Sequence, residues 1–183
     1  MIKIKKSFFN IILRYFFLFI LGVPGLWLFY FIFTPLTLYP VYFLLNLFYI
    51  VNMVNATLLI DSSSRIVPIE LVNACIAGSA YYFLLILNLS TPNIKFKKRF
   101  AFLGFTFLIF LILNILRIFF FSLLYLSGSS WFNFAHELFW YLVSVIFVVG
   151  IWFMGVRMFK IKDTPFYTDL KRIYKYSLFK KSP

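Results

Sequence analysis

The chain alternates between long apolar blocks and short polar ones. An uncharged run extends from Tyr15 to Ile60. Leu71–Leu89 is apolar, Phe100–Leu126 is apolar apart from Asn114 and Arg117, and Leu138–Val156 closes the set. A helix needs about 17–25 mostly apolar residues to cross the roughly 30 Å of a bilayer's hydrocarbon, and each long block is of that size. Ile11–Phe33 far exceeds the apolar core of a secretory signal, about 7–15 residues, and no A-x-A-like site follows it. It predicts a membrane anchor, kinked at Pro24 and Gly25.

The polar breaks carry their own signals. Thr34–Pro40 leads into the apolar Val41–Val54, whose 14 residues are short for a crossing and predict a helix lying in the membrane interface. Between Asn55 and Glu70, the runs Ala56–Ile60 and Ile66–Ile69 flank Asp61-Ser62-Ser63-Ser64-Arg65. That pattern predicts a short β-hairpin, with Pro68 making its second strand an edge. Ser127–Ser130 is a Gly/Ser turn. No internal repeat and no Gly-rich phosphate loop occurs.

Composition turns these segments into an environment. Of the 183 residues, 63% are hydrophobic, 28 are Phe, and 13% are charged. Soluble domains average about 45–50% apolar and about 25% charged, and no fold of this length could bury the excess. A water-soluble globule is excluded. The single cysteine excludes an internal disulfide.

The net charge of +13 would suggest nucleic acid in a soluble chain, but here the cations sit between apolar blocks, and no soluble stretch is long enough to present a basic face to nucleic acid. Such placement marks cytoplasmic segments. With the amino end, the 95–99 loop and the tail from Arg157 inside, these hold 4, 4 and 8 basic residues, or 16 of 18. The segment 55–70 then lies outside, with one crossing before it. A competing arrangement of five crossings would put Lys3, Lys5, Lys6 and Arg14 on the outer face. The expected fold is an all-α integral membrane protein, a single multi-pass domain over residues 1–183. It has about four transmembrane helices, an outer interfacial helix, a short extracytoplasmic β-hairpin, and a basic cytoplasmic tail (159–183) lying along anionic lipid.

In that topology three unusual residues reach one depth. Cys75 stands at the outer start of the inward helix, Arg117 near the outer end of the next, and His136, the only histidine, beside Glu137 at the outer start of the last. Each has a bland alternative: Cys75 as packing, His136 as a solvated helix end, Arg117 as a cation reaching for headgroups. An ionisable residue at membrane depth is nevertheless a functional mark, and Asn114 shares the Arg117 face. A cysteine in a helix's first turn gains thiolate character, His136 can move a proton near neutral pH, and Arg117 can hold an oxyanion. The small residues Ala74, Ala77, Gly78, Ser79 and Ala80 would let another helix approach closely. These parts point to cysteine-dependent acyl transfer, with no metal or cofactor expected. The contrasting class is a non-enzymatic lipid-binding or assembly subunit, which needs no reactive thiol.

The order of Asn73-Ala74-Cys75, Asn114-Ile115-Leu116-Arg117 and Phe134-Ala135-His136-Glu137-Leu138-Phe139-Trp140 resembles the exosortase/archaeosortase family of multi-pass transpeptidases, over about residues 34–158. Where members of that family have Gly soon after the cysteine, Ile76 and Ala77 precede Gly78 here. The resemblance implies Cys75 as nucleophile, Arg117 as oxyanion or substrate clamp and His136 as acid/base, with Asn114, Gly78 and Glu137 in supporting or substrate-binding roles. It also implies membrane-anchored protein substrates with a carboxy-terminal signal of short motif, transmembrane helix and basic cluster. The acceptor would be a lipid, an amine or water at the cell surface.

The charge count carries a topology test. Impermeant thiol labelling of cysteines introduced at Ser62 or Ser129 should proceed in intact cells, whereas one at Lys97 should label only after permeabilisation. Labelling of Lys97→Cys from outside would reverse the orientation.

Overall fold

The structure, a computed structural model, describes residues 2–23, 26–62 and 65–161 together with Asp163, Pro165, Tyr167, Lys171 and Tyr174, with the backbone alone for 2–10, Trp140 and Tyr141. Its elements are α1 (Ile2–Gly22), α2 (Trp27–Asn46), β1 (Ile50–Val54), β2 (Thr57–Ser62), β3 (Arg65–Glu70), α3 (Asn73–Ile76), α4 (Gly78–Leu89), α5 (Phe96–Leu126), α6 (Trp131–Leu138), a π-helical turn (Phe139–Val143) and α7 (Ser144–Met158). Two helices, α2 and α5, are long and apolar enough to cross a membrane; α4 and α7 are shorter apolar helices. Large apolar side chains face outward all around the bundle, among them Phe19, Phe31, Leu108, Phe120 and Phe153.

Side-chain contacts give the direction of each helix. Arg14 of α1 donates to the Leu89 carbonyl at the end of α4 (3.1 Å), and the Tyr82 hydroxyl of α4 donates to Leu18 O (2.8 Å). α1 therefore runs antiparallel to α4. α2 continues in the same sense, with Phe29 against Tyr82, Phe33 against Phe107, and Phe48 beyond its end against Phe119. α4 returns along α5, and α7 returns again, with Phe159 against Phe102. At the centre, the Phe33 ring stacks on Tyr81, with Phe107 and Phe110 edge-on to it, joining α2, α4 and α5.

The two ends of the bundle differ in chemistry. At one, Arg99 donates to the carbonyls of Asn88 and Thr91, and with Arg14 it satisfies acceptors that the end of α4 leaves open. Lys95, Lys98 and Lys160 gather at the same end. The sheet and the 127–130 turn lie together at the other end.

Two sequence expectations are corrected here. The segment Val41–Val54 is not an interfacial helix. Val41–Asn46 finishes α2, which runs through Pro35 and Pro40, and Ile50–Val54 is a strand. β-branched residues favour the pleated form, and Asn55, at φ 55°, turns the chain tightly into β2. The expected hairpin is therefore a three-stranded antiparallel sheet of order β1-β2-β3, and the chain is not all-α. The anchor expected over 11–33 is divided between α1 and α2; its proposed kink residues, Pro24 and Gly25, lie outside the described residues, as does most of the 159–183 tail.

α5 and α7 cross closely where Gly155 faces Phe102, so a methyl added at Gly155 would meet the Phe102 ring, itself fully buried. Gly150 on the same helix has open space. Gly155→Val should lower the thermal midpoint of the detergent-solubilised protein, overpacking costing about 1–3 kcal/mol. Gly150→Ala should leave the midpoint unchanged or raised. Equal midpoints for the two variants would mean that α5 and α7 do not pack this way.

Candidate active site

The site begins at a break in a helix. α3 ends and α4 begins at Ala77, which has φ 58° and ψ 43°, a left-handed conformation uncommon for a residue with a Cβ. In an unbroken helix the Cys75 and Ile76 carbonyls would accept from the amides of Ser79 and Ala80; instead the Ala80 N–H goes to Ala77 O, at 3.0 Å. Two carbonyls are left over. Asn114 Nδ2 donates to Cys75 O (2.9 Å) and lies 3.5 Å from Ile76 O, and Arg117 Nη2 donates to Cys75 O (3.2 Å). Asn114 and Arg117 are three apart on α5 and so share a face, and both reach the same oxygen.

Arg117 is held from a second side. Its Nη1 donates to Ser144 Oγ (3.2 Å), and the Ser144 hydroxyl donates to Phe139 O (2.7 Å). The π-helical turn over Phe139–Val143 places one extra residue before Ser144, which resets the helix face by roughly 100°. Ser144 was not a sequence candidate, because nothing in an apolar run reveals a wide turn.

Cys75, Arg117 and His136 line one pocket of about 240 Å³. β3 and the Cys75 turn form one wall, with Pro68, Ile69 and Glu70. Phe121 and Tyr125 of α5 and Phe132 and His136 of α6 face them. The His136 ring stacks on Phe132, one turn earlier, and meets Phe121 edge-on, with centroids 5.5 and 5.6 Å apart. Of the supporting candidates, Asn114 is buried behind the Cys75 turn. Gly78 lies under the Tyr30 ring, so the helix that its small side packs against is the chain's own α2. Gly78 and Glu137 are not among the residues lining the pocket, and Glu137 is exposed.

Glu70 is a charged lining residue that sequence reasoning passed over, although its place just before Leu71 put it at the depth of Cys75. The electrostatics of Cys75 also differ from expectation. A single helical turn interrupted at Ala77 has no macrodipole to offer. The Arg117 guanidinium stands beside the turn, its Nη2 on the Cys75 carbonyl oxygen, and Glu70 lines the same pocket. Among the described residues no three His, Cys, Asp or Glu side chains are grouped to hold a metal ion.

The shared carbonyl supports a coupling test. Removing either Asn114 or Arg117 leaves one donor on Cys75 O, whereas removing both leaves none. The double variant Asn114→Leu/Arg117→Met should lose more stability than the single variants together, by about 0.5–3 kcal/mol, read from denaturation in detergent. Additive losses would show that the two side chains do not share an acceptor. Compared with known proteins, the chain matches no family model, no curated protein and no solved structure.

Proposed function

We propose that the chain is a multi-pass membrane cysteine transpeptidase of the exosortase/archaeosortase kind. In this reading α1–α2, α3–α4, α5 and α6–α7 make four crossings, with both termini cytoplasmic and the sheet end outside. The observation that carries it is the convergence of Cys75, Arg117 and His136, from three separate segments, on one pocket. The basic end, where Arg14, Lys95, Lys98 and Lys160 gather, supports the orientation through the positive-inside bias.

The substrate is a membrane-anchored protein whose scissile peptide enters the pocket from the outer face. The Cys75 thiolate attacks the scissile carbonyl carbon, and the carbonyl electron pair moves onto oxygen. A guanidinium has five N–H donors, of which Arg117 directs two groups at Cys75 O and Ser144 Oγ. The donors left over face the developing oxyanion from a fixed frame, where such stabilisation is strongest. The C–N bond breaks, the leaving amine takes a proton from His136, and a thioester remains on Cys75. A lipid, amine or water then attacks the thioester, gives its proton to His136 and releases Cys75. Glu70, on the same wall as Cys75, offers an acceptor for substrate N–H groups.

Cys75→Ala should abolish processing of a co-expressed protein ending in a short motif, an apolar span and a Lys/Arg cluster, with the abundance of the enzyme unchanged. Cys75→Ser should be nearly inactive, since a hydroxyl lacks the nucleophilicity of a thiolate. In His136→Ala a hydroxylamine-sensitive enzyme–substrate adduct should accumulate, and be absent when Cys75 is also Ala. Arg117→Lys should fall by about a hundredfold or more, because an ammonium cannot reproduce the planar fork. Full processing by Cys75→Ala would end the transpeptidase reading. Parent-level processing by Arg117→Lys would leave Arg117 a generic charge, the role that a lipid-binding subunit would need.

A further inference from the structure

The pocket at Cys75 continues along one strand. Pro68, Tyr125 and Phe132 line both it and an adjoining pocket of about 430 Å³ that reaches Arg65, Gly128 and Asn133. β3 forms a wall throughout: Arg65, Ile66, Val67 and Pro68 in the one, Pro68, Ile69 and Glu70 in the other. Successive side chains of a strand point to opposite faces, so a wall made of consecutive residues is the strand's edge and not a face. β3 is an edge strand of the sheet.

The register says which groups that edge presents. The Leu71 N–H donates to Ala56 O, at 2.9 Å, and in an antiparallel pair hydrogen-bonded and non-hydrogen-bonded positions alternate. Ile69 opposite Leu58, and Val67 opposite Ile60, are therefore the bonded pairs. Ile66, Pro68 and Glu70 turn their backbone groups away from β2. Pro68, which has no N–H, stands at one of these outward positions and leaves the ladder to β2 intact. Among the described residues no backbone group pairs with this edge, which thus offers the N–H and C=O of Ile66, the C=O of Pro68, and the N–H and C=O of Glu70, ending two residues from the α3 turn that holds Cys75.

We propose that the cleft binds its peptide as an added strand: an extended segment pairs with the free edge of β3 and is carried along it to Cys75. This rests on Cys75 being the nucleophile. The occupant is a peptide because only a backbone repeats donors and acceptors at the spacing of the edge. An acyl chain would fill the aromatic wall and leave the edge groups unpaired.

The test uses the purified full chain, whose one cysteine is Cys75, and three alkylating probes: acetyl-tetraalanyl chloromethyl ketone, a dodecyl chloromethyl ketone and iodoacetamide. In the chloromethyl ketones the sulfur displaces chloride, forming a thioether as the thiol proton passes to solvent, and the rate is read by intact mass. The tetraalanyl probe should label about tenfold faster than the dodecyl one. Methylating its amides one at a time should slow labelling about fivefold to tenfold at alternate positions and little at those between. Ile66→Pro removes an outward donor without touching the ladder to β2, and should lose the peptide's advantage while iodoacetamide labelling continues. Equal rates for all four N-methylated probes, or a dodecyl probe as fast as the peptide, would overturn strand pairing and leave the nucleophile in place. A Cys75 inert to every probe would overturn the nucleophile and strand pairing together.

Discussion

The carbonyl oxygen of Cys75 is where the fold and the candidate chemistry meet. Breaking a helix in apolar surroundings strands backbone acceptors, and an unsatisfied carbonyl there costs several kcal/mol. Ala77 makes the break, and α5 answers it with Asn114 and Arg117. Because the same interaction fixes the turn carrying Cys75 and the guanidinium beside it, the relative position of the two is set by backbone hydrogen bonding and not by side-chain packing alone. Ser144 completes the frame from the opposite side.

This arrangement gives Arg117 a structural task, to which the proposed mechanism adds a chemical one. Among the described residues, the hydrogen-bond acceptors that hold this half-buried cation are neutral, a carbonyl and a hydroxyl. Such a group is costly unless something negative arrives. A thiolate at Cys75 or a transient oxyanion in the pocket would be that negative group. Glu70 lines the same pocket, on the Cys75 wall. Cys75 just before the break at Ala77, Phe139 at the start of the wide turn, and Pro68, Ile69 and Glu70 of the edge strand β3 all line the pocket.

The apolar blocks, the charge clusters and the candidate residues were legible in the sequence because each is a local signal. Block length announces a long helix, and Arg117 stands out in Phe100–Leu126 because it is the sole charge there. The Asn114/Arg117 spacing correctly implied a shared helix face. That both side chains would turn to the backbone of Cys75 was not implied, because the demand comes from another helix whose break cannot be seen in Asn73–Ala80. The small residues there suggested room for a foreign helix, whereas Gly78 accommodates Tyr30 of α2.

Tertiary structure alone decided the rest. Val41–Val54 is apolar apart from Asn46 and Asn52, and hydrophobicity carries no information on whether such a run is helix or strand. Its division after Asn46 follows from β1 pairing with β2, from Ile50 opposite Asp61 to Val54 opposite Thr57, beyond the end of the apolar run itself. Ser144 and Glu70 joined the site only when a π-helical turn and a sheet edge carried them there. What the sequence by itself determined was a chain of long apolar blocks, with its cations grouped between them and Cys75, Arg117 and His136 set in separate segments. Which groups face one another depended on where the backbone breaks, since each break leaves polar groups that only distant residues can satisfy.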